Sequence, residues 1–79
     1  MIAVNDIEER ILAALPGARV KIQDLTGGSD HFRAEIVAEQ FEGKTAIARH
    51  RMVYDSLSDV MGGALHALSL DTRTPSEAE

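Results

Sequence analysis

The chain has 79 residues, enough for one compact domain with a small core and too few for a second domain or a large enclosed active site. Hydrophobic residues make up 44% and charged residues 27%, the balance of an ordinary globular protein. There is no cysteine, which excludes disulfides, thiolate metal ligands and a thiol nucleophile from within the chain. A net charge of −5 at pH 7 excludes the overall cationic footprint of a general nucleic-acid binder and leaves room only for a local basic patch.

The opening "MIAVNDIEER" has no basic segment leading into an apolar stretch, so no signal peptide is expected. No apolar run approaches the roughly 20 residues needed to cross a bilayer. The expectation is a soluble cytoplasmic protein without membrane attachment. Next, "NDIEERILAALPG" reads as an amphipathic helix. Asn5 can cap it with Glu8 three residues on, as in a capping box, while Ile7, Ile11, Leu12 and Leu15 recur at helical spacing and Pro16-Gly17 closes it. "ARVKIQDL" alternates Val20 and Ile22 with Lys21 and Gln23, the period of a half-buried strand.

"TGGSD" is a turn. The following "HFRAEIVAEQF" places Phe32, Ala34, Ile36 and Ala38 on one face and Arg33, Glu35 and Glu39 on the other, so the two strands read as an antiparallel hairpin. After a second turn at "FEGK", the stretch "TAIARHRMVYDSLSDVMGG" predicts a second helix. Val53, Leu57 and Val60 form its buried face, Ile47 and Tyr54 lie near it, and Gly62-Gly63 ends it. "ALHALSLDT" is short and apolar and predicts a third strand. "TPSEAE" opens like a short helix, with Thr74 as cap and Pro75 in first position, and residues 76–79 are expected to fray. Two helices covering one face of three strands make a two-layer α+β domain over residues 1–79.

Three groups of residues carry possible chemistry. His66 shares strand parity with Leu68 and Leu70, which fits a partly buried histidine satisfied by a backbone group as well as it fits a ligand; His31 is either an ordinary loop residue or a ligand. Lys44, Arg49, His50 and Arg51 concentrate positive charge at the start of the second helix, where anions are favoured. They form either a solvated face paired with some of the thirteen acidic residues, or a contact surface for nucleic acid or an acidic partner. Asp24, Ser29, Asp30 and His31 supply the residue types of a nucleophilic triad, but neighbours in one flexible loop cannot orient one another as a triad requires. No enzyme is expected.

"FEGKTAIARHRMVYDSLSDVMGGALHALSLDTRTP" resembles the signature half of the BolA family. The matching features are the "F-x-G" turn, "RHRMVY", the helix after it, "HAL" and "T-x-TP", with "GG-x-x-HF" upstream also fitting. The resemblance runs from about residue 5 to residue 76. It implies a fold similar to class II KH domains, with a three-stranded mixed sheet. It also implies a non-catalytic partner of monothiol glutaredoxins, sharing a [2Fe–2S] cluster in iron–sulfur trafficking or in iron and stress regulation. The histidine at the start of the last strand, here His66, is the implied principal ligand. The Gly-rich loop often gives a second, directly after the glycines, where this chain has Ser29. In some members a histidine stands instead just before the phenylalanine of the second strand, the position of His31.

Such a cluster needs four ligands, and two histidines can replace two thiolates on one iron. A chain with three histidines and no cysteine therefore requires thiolates from a glutaredoxin and glutathione, and no cluster is expected in the isolated chain, as a monomer or weak homodimer. Imidazole ligation would make the cluster sensitive to pH. Members of the family are also described as regulators of stress response or morphology, some with DNA binding. The alternative is thus a KH-like nucleic-acid-binding transcriptional regulator. KH domains clamp nucleic acid with a GxxG loop, whereas "FEGK" has a single glycine.

Overall fold

The computed structural model describes residues 2–25, 27, 31–63, 65 and 67–79. The expected "TGGSD" turn, with Ser29 and Asp30, falls mostly outside them, and so does His66. Helix α1 spans Val4–Ala14, strands β1 and β2 span Arg19–Asp24 and His31–Val37, helix α2 spans Ala46–Ser56, and strand β3 spans Ala67–Arg73. A single 3-10 turn, Glu39–Phe41, follows β2.

The sheet order is β1-β2-β3. β1 pairs antiparallel with β2, from Arg19 opposite Val37 to Asp24 opposite Phe32. β3 pairs parallel with β2, from His31 beside Ala67 to Val37 beside Arg73. A parallel pair needs a long crossover, which the segment containing α2 supplies. The result is the mixed three-stranded sheet of a two-layer α+β domain.

One face of the sheet carries the core. Phe32, Ala34, Ile36 and Ala38 alternate inward, and none is more than 2% exposed. They meet Ile7, Ile11 and Leu15 from α1, Val53 and Leu57 from α2 and its C-cap, and Phe41 and Leu65 from the connections. Each of the larger side chains among them contributes about 1.5–3 kcal/mol by leaving water. On the uncovered face, Arg33 pairs with Asp71 at 3.3 Å and with Glu35 at 3.6 Å, and Arg73 pairs with Asp71 at 3.1 Å, a surface network that links β2 to β3.

Four local expectations are corrected. Asn5 is not the first cap: α1 begins two residues earlier than that cap requires, after Ala3, which lends no side chain. The buried Ile2 and Ile7 occupy the N′ and N4 positions of a hydrophobic staple, so apolar anchoring sets the start of α1 in place of a polar cap. α2 ends at Ser56, six residues short of Gly62. The Ser56 hydroxyl donates to the Val53 carbonyl at 2.6 Å, and Leu57 N–H bonds back only three residues to Tyr54, so the helix tightens into successive turns that preserve the apolar spacing through Val60.

Ile47 and Tyr54, expected near the buried face, are 73% and 37% exposed. They stand seven residues apart and share a face that lies about 100° around the helix from Val53. Finally, "TPSEAE" forms one turn, closed by Ala78 N–H to the Thr74 carbonyl at 3.1 Å and tied to its own start by Thr74 N–H donating to the Glu77 carboxylate at 2.9 Å. Thr74 does cap it, its hydroxyl accepting from Glu77 N–H at 3.3 Å.

The side-chain cap that does operate at a long helix is Thr45, whose hydroxyl accepts from Ala48 N–H at 3.1 Å at the start of α2. Thr45→Ala should cost about 1 kcal/mol in urea unfolding. Asn5→Ala, at an exposed helical position, should change stability by no more than about 0.5 kcal/mol; the opposite ranking would restore the Asn5 cap.

Candidate functional site

His31 opens β2, and three contacts hold its backbone. Phe32, immediately after it, is buried in the core and stands opposite Asp24 on β1. The His31 carbonyl accepts from Leu25 N–H at 2.8 Å across the mouth of the loop. On its other side His31 lies beside Ala67, the first residue of β3. The loop entry is itself shaped by Asp24, whose carboxylate accepts from Gly27 N–H at 3.0 Å, and by Gly27, whose φ of 74° is the left-handed conformation glycine adopts without strain.

The imidazole of His31 is exposed and shares strand parity with Arg33 and Glu35 on the uncovered face. His66 itself lies outside the described residues, but it immediately precedes Ala67 in the chain. The parallel register therefore sets the strand start that bears His31 directly beside the one that His66 leads into. Sequence alone leaves that adjacency unresolved, because it depends on whether β3 pairs with β2 or with β1.

Among the described residues there is no group of three or more histidine, cysteine, aspartate or glutamate side chains able to hold a metal ion. Among the described residues, this end of the sheet presents the imidazole of His31 as a potential donor, and the chain has no cysteine to add to it. That chemistry fits a [2Fe–2S] cluster only in shared form, with thiolates from elsewhere. Ser29 and Asp30 lie outside the described residues.

The basic group at α2 divides in two. Lys44 and Arg51 are exposed and His50 is half-buried, all on the solvent side. Arg49 is turned inward and leaves the surface it was expected to share with them, its side chain only 13% exposed. Its Nη1 and Nη2 donate to the two carboxylate oxygens of Glu77 at 2.7 and 3.3 Å. Its Nε donates to the Lys44 carbonyl at 3.0 Å and Nη1 also to the Thr72 carbonyl at 3.4 Å, while the guanidinium sits 5.9 Å from the Phe41 ring centroid.

One side chain thereby ties together the "F-x-G" turn, the start of α2, the end of β3 and the C-terminal turn. This role was readable in the sequence: Arg49 precedes Val53 by four residues and so shares its buried face. Tyr54 adds a second tie, its hydroxyl donating to the Leu68 carbonyl at 3.2 Å. Together Arg49 and Tyr54 satisfy carbonyls of β3 that point away from β2 and cover that edge of the sheet.

The Arg49 guanidinium, followed by the Thr74 backbone N–H, holds the Glu77 carboxyl down from 4.5 to about 2. A carboxyl whose folded value is depressed stabilises the fold above its ordinary value and loses that contribution as the pH falls through the folded one. Wild type should therefore exceed Glu77→Gln in stability above pH 4.5, and the two should converge as the pH approaches 2. Parallel stability curves through that range, followed by circular dichroism, would show that the pair contributes nothing.

Comparison with known proteins agrees with this architecture. The family model for BolA-like proteins matches residues 12–77. Protein RP812 of Rickettsia prowazekii is 34% identical over 71 residues, 90% of this chain and 92% of that protein. BolA-like protein 1 of Homo sapiens is 41% identical over 51 residues, and the matched part is only 37% of its length. Among solved structures, a Bol-like protein from Babesia bovis superposes with a TM-score of 0.86 at 35% identity, covering 98% of this chain and 90% of that one. The BolA domain of SufE1 from Arabidopsis thaliana superposes with a TM-score of 0.84 at 32% identity, covering 98% and 99%. With most of its length matched by the family model and its mixed sheet shared with these structures, the chain belongs to the BolA-like family.

Proposed function

We propose that this protein is a non-catalytic cytoplasmic adaptor that pairs with a monothiol glutaredoxin and shares a [2Fe–2S] cluster with it, in iron–sulfur trafficking or in iron and stress regulation. The observation that carries the reading is the β2–β3 register, which sets His31 beside Ala67, the residue following His66. The cluster is cargo rather than a resident group. His66 supplies the principal imidazole and His31 the second, and the thiol of the glutaredoxin and that of bound glutathione complete the set.

Two features of the chain support this assignment, and a pH sensitivity follows from it. It has no cysteine, so it cannot retain a cluster of the usual thiolate kind alone. His31 is exposed and therefore accessible to a second protein. Both imidazoles must be neutral to ligate, which makes transfer sensitive to acidification.

The reading as a nucleic-acid-binding regulator rests on the basic group, and the ion pair between Arg49 and Glu77 removes its central cation. Lys44 and Arg51 alone give a small phosphate-binding charge for a domain of net charge −5.

Anaerobic reconstitution with a monothiol glutaredoxin and glutathione, followed by visible absorption and circular dichroism, tests the adaptor reading. Wild type should give a spectrum distinct from that of the glutaredoxin alone. His66→Ala should abolish the difference, and His31→Ala should alter the spectrum or speed cluster loss. A spectrum unchanged by adding this protein, with strong salt-dependent binding to a DNA duplex instead, would replace the adaptor by the regulator.

A further inference from the structure

The outer face of α2 lies outside the core. Ile47 is 73% exposed, more than the other large hydrophobics on the surface, Leu25 and Tyr54. Ile47, His50, Arg51 and Tyr54 recur at i, i+3, i+4 and i+7 and line a shallow groove of about 300 Å³. That spacing is the stripe through which one helix meets another. Arg51 lies within the groove and Lys44 just before the helix, three residues from Ile47, while the exposed Asp55 adjoins Tyr54 in the chain.

The state of those charges is informative. Arg10, Arg33, Arg49 and Arg73 each have a carboxylate partner. Among the described residues Lys44 and Arg51 have none, and Arg51 does not pair even with Asp55 one turn on. Arg19 and Lys21 on β1 have none either, so what singles out Lys44 and Arg51 is their place beside the most exposed isoleucine of the chain. The Tyr54 ring is held in place by its hydroxyl bond to the Leu68 carbonyl, so one wall of the groove is preorganised.

We infer that this face docks an acidic amphipathic helix of a partner protein, which sets apolar residues against Ile47 and Tyr54 and carboxylates against Arg51 and Lys44. A phosphate backbone would satisfy the two cations and leave Ile47 in water, so the apolar half of the stripe favours protein. The N-terminal end of α2, tied by Arg49 to Thr72, lies five strand positions from Ala67, about 16 Å along β3. At its other end the stripe reaches Tyr54, whose hydroxyl bonds to the Leu68 carbonyl next to Ala67, so the surface runs along β3 toward the histidine end. The inference is independent of the cluster reading and stands or falls without it.

The test is an NMR titration of the isotopically labelled full chain with three probes: a helical peptide of leucine, alanine and glutamate with leucines at i, i+3, i+4 and i+7, its lysine-for-glutamate counterpart, and a short DNA duplex. The acidic peptide should shift the amides of Ile47, His50, Arg51 and Tyr54, and neither other probe should. Ile47→Glu and Arg51→Glu should each weaken that binding about tenfold or more. Both positions are exposed, so unchanged melting temperatures are expected and confirm intact folds. Shifts centred elsewhere, equal binding of the lysine peptide, DNA binding at the same amides, self-association of the chain through this face, or no binding at all would each overturn the inference.

Discussion

Everything in this domain is positioned by β2, which is paired on both edges and buried on one face. Its alternation of Phe32, Ala34 and Ile36, continued by Ala38, admits one register, because a slip by one residue would send these side chains into water and bring Arg33 and Glu35 beneath the helices. With β2 so held, its first residue locates His31 and its last lies beside Arg73, where β3 hands over to the C-terminal turn. The two ends of one strand thus set the two places where the molecule has chemistry to offer.

At the far end the decisive element is electrostatic. Arg49 belongs to the most basic stretch of the chain, yet it acts as a clamp between α2 and the terminal turn, with its charge matched by Glu77 and its remaining donors given to carbonyls. An arginine can do this because its planar fork serves several acceptors from one position. The consequence for function is a sorting of charge. The cation that touches the most elements is withdrawn into the structure, and the two left on the surface, Lys44 and Arg51, accompany an exposed apolar stripe. A surface of that composition is suited to another protein more than to a polyanion.

The histidine end is where the proposed adaptor role would act. Among the described residues it presents the exposed imidazole of His31 at a strand start. In the reading proposed above, that imidazole adds to a metal held largely by a second molecule, and the absence of cysteine is why the thiolates would come from the partner.

Much of the domain could be read from residue order. The strand alternations of β1 and β2, the helical stripe of Ile7, Ile11 and Leu15 and the turn glycines are local patterns, and local patterns survive into the fold because each element must bury one face. The motifs "RHRMVY" and "HAL" with "T-x-TP" also carried the family. What residue order left undecided were matters of competition between neighbours. Ile2 and Ile7 anchored α1 ahead of Asn5, the Ser56 hydroxyl ended α2 before Gly62, and the helix rotation that seats Val53 and Arg49 turned Ile47 and Tyr54 to solvent. Only the tertiary structure could set His31 beside Ala67 and pair Arg49 with Glu77, because both depend on which strands adjoin and on contacts between residues 28 or more positions apart.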